Sequence, residues 1–269
     1  MKRSDLVKEI SKKKSLLCVG LDTDIRRIPQ FLKDNYDDPV VEFNRCIIQA
    51  TTDSAVAYKF NIAFYEAMGA KGWDSLEQSL ALVPPGIMTI ADAKRGDIGN
   101  TSNLYARTFF ETYDFDAITV APYMGKDSIE PFYGYSDKWV IILGLTSNAG
   151  SQDFQMQQLS DGRYVFEEVI RRSAEFGSSE NSMFVVGATQ TEYLKRIRQI
   201  IPDHFLLLPG IGKQGGDLAS SMENGLNDDY GLLINSSRGI IYADGSETFD
   251  VTAGRVANSL QTDMAPFIH

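Results

Sequence analysis

The fold is decided by one stretch of the sequence, Thr89-Ile90-Ala91-Asp92-Ala93-Lys94-Arg95-Gly96-Asp97-Ile98-Gly99-Asn100-Thr101. It continues an apolar run that is typical of a short buried strand. Because successive strand side chains point to opposite faces, Asp92 and Lys94 share a face with Ile90. Charges at the end of a buried strand are costly unless they are paired, and Asp97 follows just past a glycine. Charges of alternating sign with glycines between them indicate a functional site, with a structural ion pair as the alternative.

Short apolar runs alternate with stretches of helical periodicity along the whole chain. We predict strands at Ser15–Leu21, Ala55–Phe60, Ile87–Asp92, Ala117–Val120, Lys138–Leu145, Met183–Val186, Phe205–Leu208 and Gly231–Asn235. We predict helices at Ser4–Lys14 with Ser4 as the N-cap, Val40–Thr51, Trp73–Val83, Thr101–Thr112, Asp127–Tyr133, Tyr164–Phe176, Glu192–Ile200, Leu218–Asn224 and Asp250–Met264. Alternation of this kind implies a parallel sheet.

About eight strand–helix units are what a (β/α)8 TIM barrel needs. We therefore predict an α/β protein in which residues 1–269 form a single (β/α)8 barrel domain with a short N-terminal helix. A doubly wound open sheet is the alternative. That fold favours a glycine-rich dinucleotide fingerprint after the first strand, and none follows Leu21. The polar segment 150–162 is the best candidate for a mobile excursion.

Composition excludes several classes of partner. Acidic residues outnumber basic ones 36 to 26, the formal net charge is −10, and no basic stripe is visible, which argues against nucleic-acid binding. Residues 1–14 lack the apolar segment of a targeting peptide, and the longest apolar run, Trp139–Leu145, is strand-sized, so no membrane partner is expected. We expect a cytoplasmic protein in which Cys18 and Cys46 are reduced and buried.

Histidine is too scarce to carry much chemistry. The chain has only His204 and the terminal His269. A Ser-His-Asp triad would need His204, which stands just before an apolar strand, and a zinc site of the usual ligand types is poorly supplied. We therefore predict no metal site, and assign acid–base chemistry to carboxylates and lysines.

Polar and charged residues collect at the carboxyl ends of the predicted strands, where a TIM barrel places its active site. They are Asp22, Lys59, Asp92, Lys94, Ser147, Gln214 and Arg238. Each alone is compatible with a solvated loop residue, but the set predicts a catalytic site. The glycine-rich loop Pro209–Gly216 and Arg238 follow the last two strands, where backbone N–H groups and a guanidinium can bind phosphate. The alternative is that these glycines only form turns.

These motifs together resemble the orotidine 5′-phosphate decarboxylase family, especially its longer bacterial branch. Its signature is similar to residues 92–101, and further matches are Gly20-Leu21-Asp22, Tyr58-Lys59-Phe60, Leu145-Thr146-Ser147-Asn148, Pro209-Gly210-Ile211-Gly212 and Ser237-Arg238-Gly239. The Asp-x-Lys-x-x-Asp core is shared with a wider superfamily. The full signature together with Lys59 is much more specific.

The resemblance implies conversion of orotidine 5′-phosphate to UMP and CO₂, the last step of de novo UMP biosynthesis, without metal or cofactor. It implies a C6 carbanion protonated by Lys94, within a charge network of Lys59, Asp92, Lys94 and Asp97. It also implies a homodimer, in which Asp97 and Thr101 enter the neighbouring subunit's site. The implied substrate contacts are Asp22 and Lys59 for the ribose, Ser147 rather than Thr146 for the pyrimidine, and Pro209, Gln214, Arg238 and Gly239 at the phosphate end. The segments 150–162 and 212–216 are candidate lids.

Two other functions fit part of the pattern. A metal-using lyase of the same superfamily, such as 3-keto-L-gulonate 6-phosphate decarboxylase, shares the Asp-x-Lys-x-x-Asp core but is expected to carry a glutamate where Lys59 stands. An inactive phosphate-binding protein is the second, and retention of the whole charged set argues against it. A Schiff-base lysine enzyme is a weaker third.

Overall fold

The computed structural model describes residues 1–187, 191–210 and 217–269. Its strands are β1 Leu17–Gly20, β2 Ala55–Asn61, β3 Met88–Arg95, β4 Ala117–Val120, β5 Trp139–Leu145, β6 Ser182–Val186, β7 Phe205–Pro209 and β8 Leu232–Ser236. They follow one another in the order β1 to β8 in a closed barrel, and the pairs with a defined register are parallel. The predicted barrel is confirmed, and the doubly wound alternative is wrong.

One helix precedes the first strand, and others connect the strands and follow the last of them. The α-helices of the described residues are α1 Arg3–Lys13, α2 Gln30–Asn35, α3 Pro39–Thr51, α4 Ile62–Glu66, α5 Ala70–Ala81, α6 Gly99–Arg107, α7 Lys126–Ile129, α8 Val165–Ser173, α9 Thr191–Ile200, α10 Leu218–Gly225, α11 Arg238–Ile241 and α12 Phe249–Met264. Among the residues described, no helix is both long enough and apolar enough to cross a membrane.

Most differences from the predicted elements lie at their ends, which are the least determined part of any helix. The predicted N-cap at Ser4 is wrong, because α1 already begins at Arg3. The helix predicted at Thr101–Thr112 begins at Gly99 and continues as a π-helical segment over Thr108–Thr112. Helix α4 has no counterpart among the predicted elements, since five residues are too few to show helical periodicity.

The described chain contains two compact units. The first comprises Met1–Arg3 with Lys94–Ile234, and the second comprises Ser4–Ala93 with Asn235–His269. The prediction that residues 1–269 form a single domain stays a prediction.

Near-complete burial explains why the strands appear in the sequence as apolar runs without alternation. Every residue of β1, β4, β6 and β8 is buried. A parallel strand covered on both faces needs apolar side chains in both directions. The contiguous runs used to predict these strands are therefore a consequence of the barrel itself.

In the second unit, one carboxylate anchors two helices. Asp38 is the N-cap of α3, and its Oδ1 accepts hydrogen bonds from the backbone N–H groups of Val40 and Val41, both at 3.1 Å. Pro39 occupies the first helical position, where a missing N–H costs nothing. The hydroxyl of Ser75 on α5 donates to the other oxygen of Asp38 at 2.6 Å. A cap of this type stabilises a helix by about 1 kcal/mol.

The cysteines are both free. Cys18 is buried in β1, and burial raises the pKa of its thiol to about 12, so it is a neutral thiol in the core. Cys46 is only half-buried, so the prediction that it is buried is wrong. It lies on α3 beside the side chains of Glu42 and Arg45, within a polar part of the helix surface.

In the first unit, a buried arginine forms hydrogen bonds beside the amino end of β7. The guanidinium of Arg198 on α9 donates to the main-chain carbonyls of Ile201, His204, Gly225 and Gly231. These bonds satisfy carbonyls at the ends of several elements at once. Burial lowers the pKa of Arg198 to about 10, which still leaves it charged at neutral pH.

His204 lies beside this arginine as a neutral ring. It packs edge-on against Phe184, with the ring centroids 5.6 Å apart. Neither ring nitrogen has a hydrogen-bond partner among the described residues. Burial, followed by the positive charge of Arg3, lowers the pKa of His204 to about 4. The structure therefore favours the uncharged form of this histidine.

This neutral histidine makes stability depend on pH. The pKa of a histidine in an unfolded chain is about 6.5, whereas the pKa of His204 in the folded chain is about 4. Between these two pH values the unfolded chain binds a proton that the folded chain does not. The free energy of unfolding should therefore fall as pH falls through this window. His204→Phe keeps the ring beside Phe184 and should flatten that part of the profile, measured by urea denaturation at a series of pH values.

His269→Phe is the matched control, because it removes the other, exposed histidine at the end of the chain. It should leave the profile unchanged. An unchanged pH dependence in His204→Phe would show that another group is responsible.

Candidate active site

A buried lysine and two carboxylates form the centre of the candidate site in the second unit. Lys59 Nζ lies 3.2 Å from Asp22 Oδ1 and 3.1 Å from Asp92 Oδ2, and the lysine side chain is only 5% exposed. Burial alone would lower the pKa of Lys59, but the charges of Asp22 and Asp92 outweigh it and place the pKa above its usual range. Lys59 is therefore a fixed ammonium ion held from two sides.

Strand register brings these three side chains together. Lys59 in β2 is paired with Gly20 at the end of β1, two residues before Asp22. Asp92 in β3 is paired with Asn61, the last residue of β2. Because parallel strands end on the same edge of a sheet, all three charges lie at carboxyl ends. Sequence reasoning missed Asn61, which extends β2 one residue beyond the predicted end.

The main chain around Asp22 is held by tyrosines from distant parts of the second unit. The hydroxyl of Tyr65 donates to the Leu21 carbonyl at 3.1 Å, and the hydroxyl of Tyr242 donates to the Asp22 carbonyl at the same distance. The Asn44 side chain in turn donates to the Tyr65 hydroxyl at 3.0 Å. Buried networks with every group satisfied are rigid. Nothing in the sequence spacing identifies these residues, since their contacts are long-range.

Arg238 and Gly239 follow β8 and begin helix α11. Both are exposed. The preceding residue, Ser237, packs directly on the end of β1, where a Cβ at Gly20 would lie 1.8 Å from its hydroxyl oxygen. Glycine at position 20 is therefore required for this approach, which fixes the start of the segment that presents Arg238.

Lys94 is exposed in the described chain, and its place in the implied charge network stays a prediction. The physical reason for its exposure is that β3 leaves the core beyond Ala91, and side-chain exposure rises toward its end. The backbone at Lys94 is unusual, with φ 49°, a left-handed conformation that non-glycine residues rarely adopt. Its N–H donates to the buried hydroxyl of Thr119 at 2.9 Å. Such conformations cluster at functional sites.

The residues after Lys94 dock tightly on neighbouring elements of the first unit. The guanidinium of Arg95 lies 5.5 Å from the ring centroid of Tyr105, and the Arg95 carbonyl accepts from the Ala121 N–H at 2.9 Å. A Cβ at Gly96 would lie 3.1 Å from the Ala121 carbonyl oxygen. The backbone that carries Lys94 is therefore anchored on both sides.

Asp97 and Thr101 lie beyond this anchor. Asp97 is half-buried, and its Oδ1 accepts from the N–H of Ile98 at 2.7 Å. Thr101 is exposed on α6. Large apolar side chains on the same unit are also exposed, at 60% for Ile98, 91% for Tyr123 and 48% for Met124. Exposed apolar side chains in one region are typical of interaction surfaces.

Ser147 follows β5 and is exposed. It stands directly against Gly187, the residue after β6, where a Cβ would lie only 2.8 Å from the Ser147 nitrogen and Cβ. The Gly187 N–H donates to the Leu145 carbonyl at 2.8 Å. Glycine at position 187 therefore allows the two strand ends to approach, a signal that the sequence analysis did not use.

The proposed phosphate loop is only partly described. Pro209 is half-buried at the end of β7, and Gly210 has φ 94°, which favours glycine. Gln214 and the candidate lid 212–216 lie outside the described residues. The other candidate lid, 150–162, overlaps a 3-10 turn at Ala149–Asp153, and its mobility stays a prediction. Among the described residues, no group of three or more His, Cys, Asp or Glu side chains could hold a metal ion.

Comparison with known proteins gives a consistent result. Residues 15–248 match the family described as orotidine 5′-phosphate decarboxylase / HUMPS. The chain is 53% identical over 267 residues to the orotidine 5′-phosphate decarboxylase of Phocaeicola vulgatus, covering 98% of both chains. It is 52% identical over 268 residues to that of Bacteroides fragilis, covering 98% of this chain and 97% of the relative. The solved structure of Leishmania donovani OMP decarboxylase is similar with a TM-score of 0.82 and 38% identity, covering 97% of this chain and 99% of that one.

The charge cluster should contribute strongly to stability. Lys59→Met removes the cation that lies between Asp22 and Asp92 in a largely buried site. Removing one partner of a buried ion pair typically costs about 3 kcal/mol or more in the free energy of unfolding. The loss should be measured by urea denaturation near neutral pH.

A double variant, Lys59→Met with Asp92→Asn, provides the control. It also removes the charge of Asp92, which would otherwise repel that of Asp22. The double variant should therefore regain part of the free energy of unfolding that Lys59→Met loses. If Lys59→Met unfolds at the same urea concentration as the unaltered protein, the cluster does not stabilise the fold.

Proposed function

This chain belongs to the orotidine 5′-phosphate decarboxylase family, and we propose that it converts orotidine 5′-phosphate to UMP and CO₂ in pyrimidine biosynthesis. The observation that carries this proposal is Lys59, held at 3.1–3.2 Å from Asp92 and Asp22 at the carboxyl ends of β1 to β3. The metal-using superfamily lyase is expected to place a glutamate at this position. We propose the cytoplasm as its location, as the sequence predicts.

The substrate contacts that we propose follow the chemistry of each part of the nucleotide. Asp22 and Lys59 bind the ribose hydroxyls, because a carboxylate accepts and an ammonium donates hydrogen bonds. Ser147 binds the polar edge of the pyrimidine. Arg238 binds the phosphate with its guanidinium, which suits two oxygens at once. Gly239, Pro209 and Gln214 complete the phosphate end.

The chemical problem is the electron pair that remains at C6 when CO₂ leaves. The ring offers it little resonance stabilisation, so the site must supply a preorganised positive charge. We propose that the ammonium of Lys94 stabilises this carbanion and then donates a proton to C6. The remaining neutral amine is reprotonated from water. Asp92 faces the substrate carboxylate, and Lys59 keeps Asp92 in place.

Every step of this scheme uses only side chains of the protein and water, so we propose that no metal or cofactor takes part. His204 is poorly placed for the proton transfer, because it stands at the amino end of β7 with its ring packed against Phe184. Phosphate binding is remote from the bond that breaks, but its energy can help to orient the reacting ring.

We also propose a homodimer with shared active sites. Asp97 and Thr101 would enter the site of the neighbouring subunit, as the family resemblance implies. The exposed side chains of Ile98, Tyr123 and Met124 support this proposal, because burial of such groups favours association. Their position near Asp97 in the sequence and on the loop after β4 suits an interface close to the active site.

Turnover in the presence of a chelator tests the proposed function. The purified protein should release CO₂ from orotidine 5′-phosphate in the presence of excess EDTA. The reaction is monitored by the loss of substrate absorbance. Lys94→Ala should lower kcat by about 100-fold or more, which is the usual contribution of a positioned proton donor. The affinity of this variant for UMP should change little, measured by calorimetry.

Each alternative function gives a different result. Activity lost with EDTA and restored by a divalent cation would identify the metal-using lyase. Tight UMP binding without CO₂ release would identify an inactive binding protein. Near-normal turnover in Lys94→Ala would refute the role of Lys94.

Mixed dimers test the shared site. Asp97→Asn and Lys59→Ala chains should each be inactive alone, but a mixed dimer would have one site with both residues intact. Random mixing should restore roughly a quarter of the unaltered activity, since half of the dimers are mixed and each has one intact site. No recovery after mixing and reassembly would show that the sites are not shared.

A further inference from the structure

The side chain of Gln155 forms two hydrogen bonds with Thr146, the residue before the proposed base contact Ser147. Its side-chain Oε1 accepts from the Thr146 N–H at 2.8 Å, and its Nε2 donates to the Thr146 hydroxyl, also at 2.8 Å. The Thr146 hydroxyl then donates to Asn148 Oδ1 at 2.6 Å. The carboxamide and Thr146 thus form a closed ring of two hydrogen bonds, which fixes both the main chain and the side chain of Thr146.

The position of Gln155 is itself fixed by the loop that carries it. Its main-chain carbonyl accepts from the N–H of Phe166 at 3.0 Å, and Phe166 is fully buried in the first turn of α8. Ser151 is also buried, and its carbonyl accepts from the Met156 N–H at 3.1 Å. The carboxamide is therefore presented to Thr146 from an anchored loop.

Ser147 is confined on its other side by Gly187. The Ser147 nitrogen and Cβ are so close to Gly187 that an added methyl group would overlap them. Its two flanking residues, Thr146 and Asn148, are joined through the Thr146 hydroxyl. Ser147 is exposed between them, whereas the Thr146 hydroxyl already donates one hydrogen bond and accepts another.

We infer that Gln155 is a positioning residue for recognition of the pyrimidine base, acting on Ser147 through Thr146. This inference rests on the proposed function, because it assumes that Ser147 contacts the base. The donor and acceptor of the carboxamide are both used, so a side chain with neither cannot replace it. The inference also explains why Ser147, and not Thr146, is available to a ligand.

Gln155→Met tests this role, since methionine has a similar length but cannot make either hydrogen bond. The matched control is Gln157→Met in the same loop. The Gln157 side chain donates to the Gln152 carbonyl at 2.7 Å, away from Thr146. Two ligands separate the base from the rest of the nucleotide: UMP, and ribose 5-phosphate, which lacks the base.

Gln155→Met should bind UMP about tenfold more weakly, a loss of about 1.4 kcal/mol in binding free energy measured by calorimetry. Its KM for orotidine 5′-phosphate should rise by a similar factor. Its affinity for ribose 5-phosphate should be unchanged, and Gln157→Met should match the unaltered protein with both ligands. Gln155→Leu, which also cannot make either hydrogen bond, is the second variant if Gln155→Met fails to fold, and it should show the same selective loss.

Two results would overturn the inference. One is UMP binding in the Gln155 variants that equals that of Gln157→Met. The other is an equal loss of affinity for UMP and ribose 5-phosphate, which would show a general structural role. Absence of CO₂ release by the unaltered protein would instead overturn the proposed function, a result obtained without any Gln155 variant.

Discussion

The pairing of one buried ammonium with two carboxylates is the constraint on which the candidate site depends. Lys59 is almost completely shielded from water, and a lone charge in that position would be very unfavourable. Asp22 and Asp92 make its burial possible, and Lys59 in turn makes it possible for two carboxylates to lie within one small region. Ion pairs therefore connect the ends of β1, β2 and β3. The same three charged side chains lie where the proposed chemistry needs them.

Groups with a purely structural role are separated along the strands of this barrel from the groups of the candidate site. In the first unit, Arg198 and His204 lie at the amino end of β7 and bond or pack within the protein. In the second unit, Asp22, Lys59 and Asp92 lie at carboxyl ends. This separation is the usual organisation of TIM barrels.

Much of this structure could be predicted from the sequence, because burial of a parallel sheet on both faces leaves contiguous apolar runs. The charges at the ends of these runs also predicted the grouping of Asp22, Lys59 and Asp92. Alternation along β3 correctly put Asp92 near the core, but the strand emerges at Lys94, where the backbone takes a positive φ. No local pattern predicts that change. Tyr65, Tyr242 and Gln155 act through contacts that depend on the complete fold.

The contact between Gly187 and Ser147 limits how this protein can diverge. Most positions beside an active site tolerate several side chains, and gradual replacement there is a common path to altered selectivity. Replacement of Gly187 by a larger residue is excluded, because even a methyl group would collide with the main chain of Ser147. Variation at this edge of the barrel is therefore confined to position 147 or to the loop between β5 and α8, and we expect the glycine to persist in either case.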